Sequence, residues 1–336
     1  MATLEDIARV LGVTKGTVSK ALNGAVDVSE AMRRSVVETA VELGYSRPRR
    51  GDEAPRIAVF ITNMAYERPE DFGYDILVGF RKLAEPAGYQ VQVIPLSIEL
   101  EEDIPYEQYM MRHHYLGALF LGLSLRDPWL RDFETCRTPT VLYDNRVSGN
   151  PRVTYVGADN AEGMFLAVQY LKSLGHRKIG YLSSALGAYV YQQRQQAFFQ
   201  AMQKNGLCDQ ALARDSYFFS VCMEEHLPAL LGLGCTAILC SHDSLAIGAL
   251  DHCRKTGIRV PEDVSILGFD DLPRCQGTQP PLTTIRQDRT ELGKSAYCAL
   301  ASQIEGVAPS TFLLHTELIP RASCANAREG ELTIDN

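Results

Sequence analysis

Residues 3–24 read TLEDIARVLGVTKGTVSKALNG, two short helical patterns on either side of one tight turn. Thr3 stands where an N-cap belongs and Asp6, three positions on, is its reciprocal acidic partner, so the spacing predicts a helix start there. Ile7, Ala8 and Leu11 share one face. Gly12 is expected to end the helix in positive φ, which costs glycine nothing, and Val13 to fix the turn by packing inward. Thr14 is placed to cap a second helix whose buried stripe is Val18, Ala21 and Leu22. Lys15, Gly16, Thr17, Ser19 and Lys20 then face outward or toward that helix's N-terminus. A helix laid in a DNA major groove needs donors at its N-terminal end to reach base edges and a small residue where the backbone comes close, and Lys15, Gly16 and Lys20 meet that need. The bland reading is a helical hairpin with a solvated basic face; the tight turn and the segment that follows count against it.

That segment is Val28-Ser29 and then EAMRRSVVETAVELGY, a third helix capped by Ser29 and stopped by Gly44, with Met32, Val36, Ala40 and Leu43 as its apolar stripe. Three helices in about 45 residues are close to the minimum that buries a core around such a pair. Charge agrees: the first 50 residues hold eight Lys and Arg against six Asp and Glu, so they carry +2 of a net −8 and the remainder carries −10. An acidic body behind a basic head is expected to meet DNA through the head alone, with salt-sensitive affinity, which favours a homodimer.

These strings resemble the headpiece of the LacI/GalR family of bacterial transcription regulators. The resemblance extends along nearly the whole chain: LGHRKIGYL at 174–182, HDSLAIGAL at 242–250, DVSILGFDD at 263–271 and PPLTTIRQD at 280–288 match that family's effector domain in order and spacing. It implies a ligand-responsive repressor acting as a homodimer on a pseudo-palindromic double-stranded DNA operator. It also implies a fold similar to periplasmic sugar-binding proteins, with the chain crossing three times between two lobes. The last crossovers are expected near 283–290 and 311–318.

Read without the family, the chain divides as a head at 1–46, a linker at 47–55, a two-lobed body at 56–325 and a tail at 326–336. SRPRRGDEAP, at 46–55, breaks every periodic pattern with its prolines, glycine and charges. After it, RIAVFIT, YQVQVIPL, LGALFLGL, TPTVLYD and VTYVGAD read as strands alternating with helices near 74–87, 105–113 and 126–135. A second series follows, with strands KIGYLSS, TAILCS and VSILGFD and helices near 160–174, 190–205, 224–231 and 243–256. The fold class is therefore α/β, two doubly wound parallel-sheet subdomains behind a three-helix helix-turn-helix headpiece. Ligands of open parallel sheets bind beyond the carboxyl ends of the strands, so a small-molecule effector, a sugar or sugar derivative, is expected between the two subdomains.

Strand ends nominate its contacts. Asp144 follows TVLY, His242 and Asp243 follow ILCS, and Asp270 and Asp271 follow ILGF. Carboxylates there accept bidentate hydrogen bonds from vicinal hydroxyls, and Arg194, early in the helix after KIGYLSS, supplies donors. The resemblance gives Arg194 and Asp270 the family's effector-binding arginine and aspartate and Asp144 a polar position, while His242 departs from the asparagine usual there. Phe72, Phe219 at the end of an expected SYFFS strand, and Tyr191 offer rings to stack on sugar C–H faces, with core packing as the competing reading for each. Asp243 is expected to be an N-cap, and Asp271 is open to a structural reading.

One part of the family pattern is missing. The hinge helix and its apolar wedge have no counterpart in residues 48–55, so the operator is expected to bend less than is usual for the family. Arg49 and Arg50 either enter a narrow minor groove as a flexible arm or tether the head through phosphate contacts. At base edges the expected contacts are Lys15, Gly16 and Lys20, with Thr14, Thr17, Ser19, Ser29 and Arg33 on phosphates.

Other classes find little support. No leader pattern and no run of 18 apolar residues is present, and nine scattered cysteines without a C-x-x-C pair read as reduced thiols of a cytoplasmic protein. Gly232-x-Gly234-x-x-Ala237 precedes its strand, where a dinucleotide fingerprint must follow one. His113, His114 and His252 lack partners at metal-ligand spacing, and no nucleophile elbow or phosphate loop occurs, so neither cofactor, metal nor catalysis is expected. A global regulator of this fold with a phosphoprotein co-regulator is the alternative within the class. A sugar-binding module and a carbohydrate-processing enzyme are the alternatives outside it.

Overall fold

A computed structural model describes residues 2–23, 25, 27–45, 54–184, 187–207 and 212–327. The chain divides into two compact units, Met1–Met64 with Val78–Val156 and Gly293–Phe312, and Ala65–Leu77 with Gly157–Leu292 and Leu313–Asn336.

The first unit begins with the head: α1 (Leu4–Leu11), α2 (Lys15–Leu22) and α3 (Glu30–Glu42). The start of α1 is the expected reciprocal cap, Asp6 N–H donating to Thr3 Oγ1 at 3.3 Å and Thr3 N–H to Asp6 Oδ2 at 2.9 Å. Gly12 leaves the helix at φ 66°. Thr14 and Ser29 cap α2 and α3 through Thr17 N–H and Met32 N–H. Ile7, Val18, Val36 and Ala40 form the fully buried centre of the head. The expected α3 stripe is corrected at one end. Leu43 is exposed because it is the C-cap residue beyond the last helical turn, while Val37 and Tyr45 are buried in its place. Tyr45 N–H reaches Ala40 O and Gly44 N–H reaches Val41 O, a glycine-terminated helix end that folds Tyr45 back onto the core.

The body follows in chain order as β1 (Arg56–Ile61), α4 (Phe72–Ala84), β2 (Gln90–Pro95), α5 (Ile98–Asp103), α6 (Tyr106–His113), β3 (Tyr115–Leu121), α7 (Trp129–Asp132), β4 (Thr140–Tyr143) and β5 (Val153–Ala158). Then come α8 (Asn160–Ser173), β6 (Ile179–Ser184), α9 (Tyr189–Lys204), β7 (Ala213–Ser216), α10 (Phe219–Val221), α11 (Leu227–Gly232), β8 (Ala237–Cys240), α12 (Asp243–Thr256) and β9 (Ser265–Asp270). The last elements are β10 (Thr283–Arg286), α13 (Arg289–Ile304), β11 (Thr311–Leu314) and β12 (Glu317–Ile319).

The first sheet runs β11-β5-β4-β3-β1-β2 and the second β12-β10-β9-β8-β6-β7. Pairing through β2, β1, β3, β4 and β5 is parallel, as it is through β7, β6, β8, β9 and β10, and β12 pairs antiparallel on β10. Central strands such as β5 and β9 are buried along their length, which is why they read as unbroken apolar runs, whereas edge strand β2 alternates. The parallel α/β expectation therefore holds for each unit.

Several local expectations are corrected. SYFFS is not a strand: β7 is the preceding ARDS, and Phe219 opens the short α10 beyond the sheet edge. Residues 289–304, for which the sequence pattern carries no expectation, form α13. Of the segment expected to cross near 283–290, residues 283–286 are β10 of the second sheet and the division between units falls just beyond, at 292–293; the other division, at 312–313, lies inside the expected 311–318.

Candidate DNA-binding head and ligand site

On α2, Thr14, Lys15, Gly16 and Lys20 are exposed and Thr17 and Ser19 half-buried, the arrangement expected of a surface that meets DNA. Gly16 has ordinary helical φ, and a Cβ built on it would meet only Thr14 Oγ1, at 3.6 Å. Nothing inside the head requires glycine there. Lys15 is ion-paired with Glu5 and Lys20 with Asp27. The Thr14 and Ser29 hydroxyl oxygens accept helix N–H groups, which leaves the hydroxyls able to donate, and Thr14 Oγ1 lies 2.9 Å from Thr17 Oγ1. Arg33 also has partners within the head. Its guanidinium donates to Ala25 O at 3.0 Å and pairs with Glu30 at 3.3 Å, committing it to the loop between α2 and α3. Arg49 and Arg50 lie outside the described residues.

In the second unit the carboxyl ends of β6, β8 and β9 bring together the residues nominated there. Arg194, on α9, is 2% exposed although charged. Its Nε donates to Asn160 Oδ1 at 2.9 Å, its Nη1 to Ser241 O at 2.7 Å and to Asp270 Oδ1 at 3.3 Å, and the guanidinium lies 3.8 Å from the centre of the Phe269 ring. A buried cation is tolerated on these terms, paired, hydrogen-bonded and stacked. Gln287 Nε2 donates to the same Asp270 oxygen at 2.6 Å. Burial pushes the Asp270 carboxyl up, and the Arg194 charge opposes that. Asp270 sits at φ 121°, a conformation that L-residues adopt at a cost and that is often found where a side chain must be aimed.

His242 and not Asp243 caps α12: its Nδ1 accepts Leu245 N–H at 3.2 Å. The N-cap expectation for Asp243 is thereby corrected. As the first residue of the helix, Asp243 points inward, fully buried, and accepts from Leu272 N–H at 2.8 Å, Thr284 Oγ1 at 2.6 Å and Cys275 Sγ at 3.0 Å. Gly268 leaves room for it, since a Cβ there would collide with Asp243 Oδ1. Asp271 is structural too, joining Arg286 at 2.7 Å and Arg321 at 2.6 Å.

The aromatic nominations separate. The Tyr191 ring lies 5.5 Å from the His242 ring. Phe72, half-buried, packs against the second unit's core and has the Arg289 guanidinium 5.8 Å from its ring centre. Phe219 is 53% exposed, and its ring packs where a Cβ on Gly248 of α12 would stand. Asp144 belongs to the first unit. It follows β4 at φ 52°, with Tyr155 Oη 3.4 Å from its Oδ1. Asn160, Gln287 and Ser184 were not nominated, yet each closes or closely follows a buried strand. The rule that found Asp270, applied to every strand end, would have found them.

Residues 3–48 match the family of bacterial regulatory proteins described as lacI, and residues 168–324 match the periplasmic binding protein-like domain. The chain is 31% identical to the HTH-type transcriptional repressor CytR of Escherichia coli K12, with 96% of each chain covered. It is 30% identical to the HTH-type transcriptional regulator MalR of Streptomyces coelicolor, covering 96% of this chain and 97% of that one. Among solved structures, the transcriptional regulator CelR in complex with cellobiose is similar at 28% identity and a TM-score of 0.69, over 96% of this chain and all of that one.

Proposed function

Because the chain belongs to the LacI family of bacterial regulatory proteins, we propose that it is a sequence-specific DNA-binding repressor whose hold on its operator is set by a small ligand. The relatives are transcription regulators, and this chain is read as one that binds and does not catalyse. No helix among the described residues is long and apolar enough to cross a membrane, and the site of action proposed is the cytoplasm, where the operator is.

The observation that carries the reading is α2, capped at Thr14 and presenting Lys15, Gly16 and Lys20 outward with a glycine that the head itself does not need. Lys15, Gly16 and Lys20 would read base edges while Thr14, Thr17, Ser19 and Ser29 hold phosphates. Two heads of a homodimer would read the halves of a pseudo-palindrome. For the ligand, the Arg194–Asp270 pair supplies a donor and an acceptor, and Tyr191, Phe72 and Phe219 supply rings, a set suited to a sugar or a sugar-bearing molecule. CelR was solved with cellobiose, and a carbohydrate is the class proposed here.

Selection of duplexes from a random pool by the full chain, followed by fluorescence anisotropy on the enriched sequence, tests the DNA half. The expected result is a pseudo-palindrome whose binding weakens steeply with salt. An enriched pool without dyad symmetry, or binding that survives loss of residues 1–50, overturns it. Stabilisation by sugars and loss of operator binding on their addition test the ligand half.

A further inference from the structure

His242 does two things at once. A main-chain N–H can only donate, so the bond from Leu245 N–H at 3.2 Å leaves His242 Nδ1 unprotonated. The ring is then neutral and carries its proton on Nε2, which lies 2.7 Å from Ser184 Oγ. Donation from Nε2 makes Ser184 Oγ the acceptor in that bond. Burial and the neighbouring Arg194 and Arg274 charges push the imidazole in the same direction, down to about 3. Ser184 is the last residue of β6, half-buried, and pinned by its own N–H to Ser241 Oγ at 3.3 Å. Among the described residues, His242 is the one partner of its hydroxyl oxygen, so its hydrogen is left to point elsewhere.

We infer that Ser184 is a ligand-specificity residue whose hydroxyl His242 locks as a hydrogen-bond donor, so that the ligand sets a bare lone-pair acceptor against it. The chemistry shared by suitable groups is an oxygen or nitrogen without a hydrogen: the ring or glycosidic oxygen of a sugar, or a carbonyl oxygen or ring nitrogen of a nucleobase. The inference rests on the ligand reading proposed above. An asparagine at position 242 would cap α12 with its oxygen and donate to the ligand from its own amide. Histidine keeps the cap and passes the donor role one step along, to Ser184. Selectivity follows, because a group offering only hydrogens would leave a desolvated hydroxyl facing a donor.

The first test needs no ligand. Long-range 1H–15N correlation spectra of the 15N-labelled full chain, with His242→Asn to identify the ring, should show Nδ1 bare and Nε2 protonated from about pH 8 to about pH 5. A protonated Nδ1, or conversion to imidazolium near an ordinary value of about 6.5, overturns the lock. The second test compares the wild type and Ser184→Ala by thermal shift and calorimetry with cellobiose, D-ribose, adenosine and uridine. A probe that binds should lose roughly tenfold in affinity on Ser184→Ala, and none once its acceptor atom is replaced by carbon. The sugar and nucleoside arms then say which source supplies the acceptor. Equal affinity of both proteins for every binding probe overturns the role of Ser184. If none of the four binds the wild type, the ligand class falls in both readings, and the ring spectrum still decides the lock.

Discussion

The Arg137 guanidinium donates to the main-chain oxygen of Val41 at 3.2 Å, so a side chain of the loop between α7 and β4 completes the last turn of α3 in the head. Helix ends leave carbonyls unpaired and carry negative partial charge, which a cation satisfies. Glu107 fixes the loop by accepting the N–H groups of Arg137 and Thr138, each at 2.7 Å. Arg112 pairs with Glu30 at 3.5 Å, and Met111 packs against the head's core. Arg137→Ala is expected to speed amide hydrogen exchange at Leu43, Gly44 and Tyr45 several-fold in the full chain while the body's amides keep their rates. Unchanged exchange at those three amides would mean that the contact is not formed in solution.

Gly16→Ala should separate folding from recognition. The added methyl makes one ordinary contact and removes glycine's entropic cost in a helix, so the DNA-free head should gain roughly 0.5–1 kcal/mol. On the proposed reading of α2 the same methyl would stand where the backbone meets the groove, so affinity for the selected operator should fall at least about tenfold. A stabilised variant with full affinity would remove Gly16 from the interface.

Glu101 on α5 is buried and accepts Trp129 N–H at 3.0 Å. Burial pushes its carboxyl up to about 7, and Asp127 and Asp132 add to that. The folded state therefore binds this proton more tightly than the unfolded chain does. The associated stability is fully present below about pH 4.5 and is lost as pH rises through about 7. Glu101→Gln keeps an acceptor for Trp129 and drops the charge. It should match the wild type near pH 4.5 and exceed it near pH 8 by up to ~3 kcal/mol in denaturant unfolding. A variant less stable than the wild type at pH 8 would contradict this.

Asp243→Asn, although neutral and of the same shape, should destabilise the second unit. The carboxylate takes three donors, and an amide must turn its own NH2 toward one of them, at a cost of roughly 2–4 kcal/mol. Burial and the neighbouring Asp270 push this carboxyl up to about 7, so the comparison belongs at about pH 8.5, where a drop of several degrees in the melting temperature is the expected outcome; an unchanged melt there would show that these bonds do not hold the segment after β9.

The legible parts of the chain were those governed by local rules. Thr3, Thr14 and Ser29 are caps because a side-chain oxygen three residues before a free N–H has few competing uses. The buried strands were legible because parallel central strands are apolar on both faces. Misreadings came where tertiary packing overrode a local preference. SYFFS has the composition of a strand, yet the sheet edge is formed by ARDS, and Phe219 packs against Gly248 on α12, a neighbour remote in sequence. The α12 cap went to Asp243 by residue type, but the carboxylate was drawn inward by Leu272, Cys275 and Thr284, and an imidazole took its place. Arg33 carries a charge suited to phosphate, and only the structure shows that charge spent on Ala25 and Glu30. In the ligand site, Asn160, Gln287 and Ser184 stand at strand ends just as Asp270 does, and the same positional rule reaches them once neutral polar side chains are admitted beside charged and aromatic ones.

If α2 is the recognition helix, as proposed, the pairing of Lys15 with Glu5 and of Lys20 with Asp27 gives it a competitor that the head carries with it. An arbitrary duplex offers each lysine a phosphate in exchange for a carboxylate, one anion for another, with little reason to stay. Only a site that adds a matched base edge makes the exchange worthwhile. On the proposed reading of α2, the two acids would blunt the sequence-blind attraction that otherwise holds a basic surface on bulk DNA.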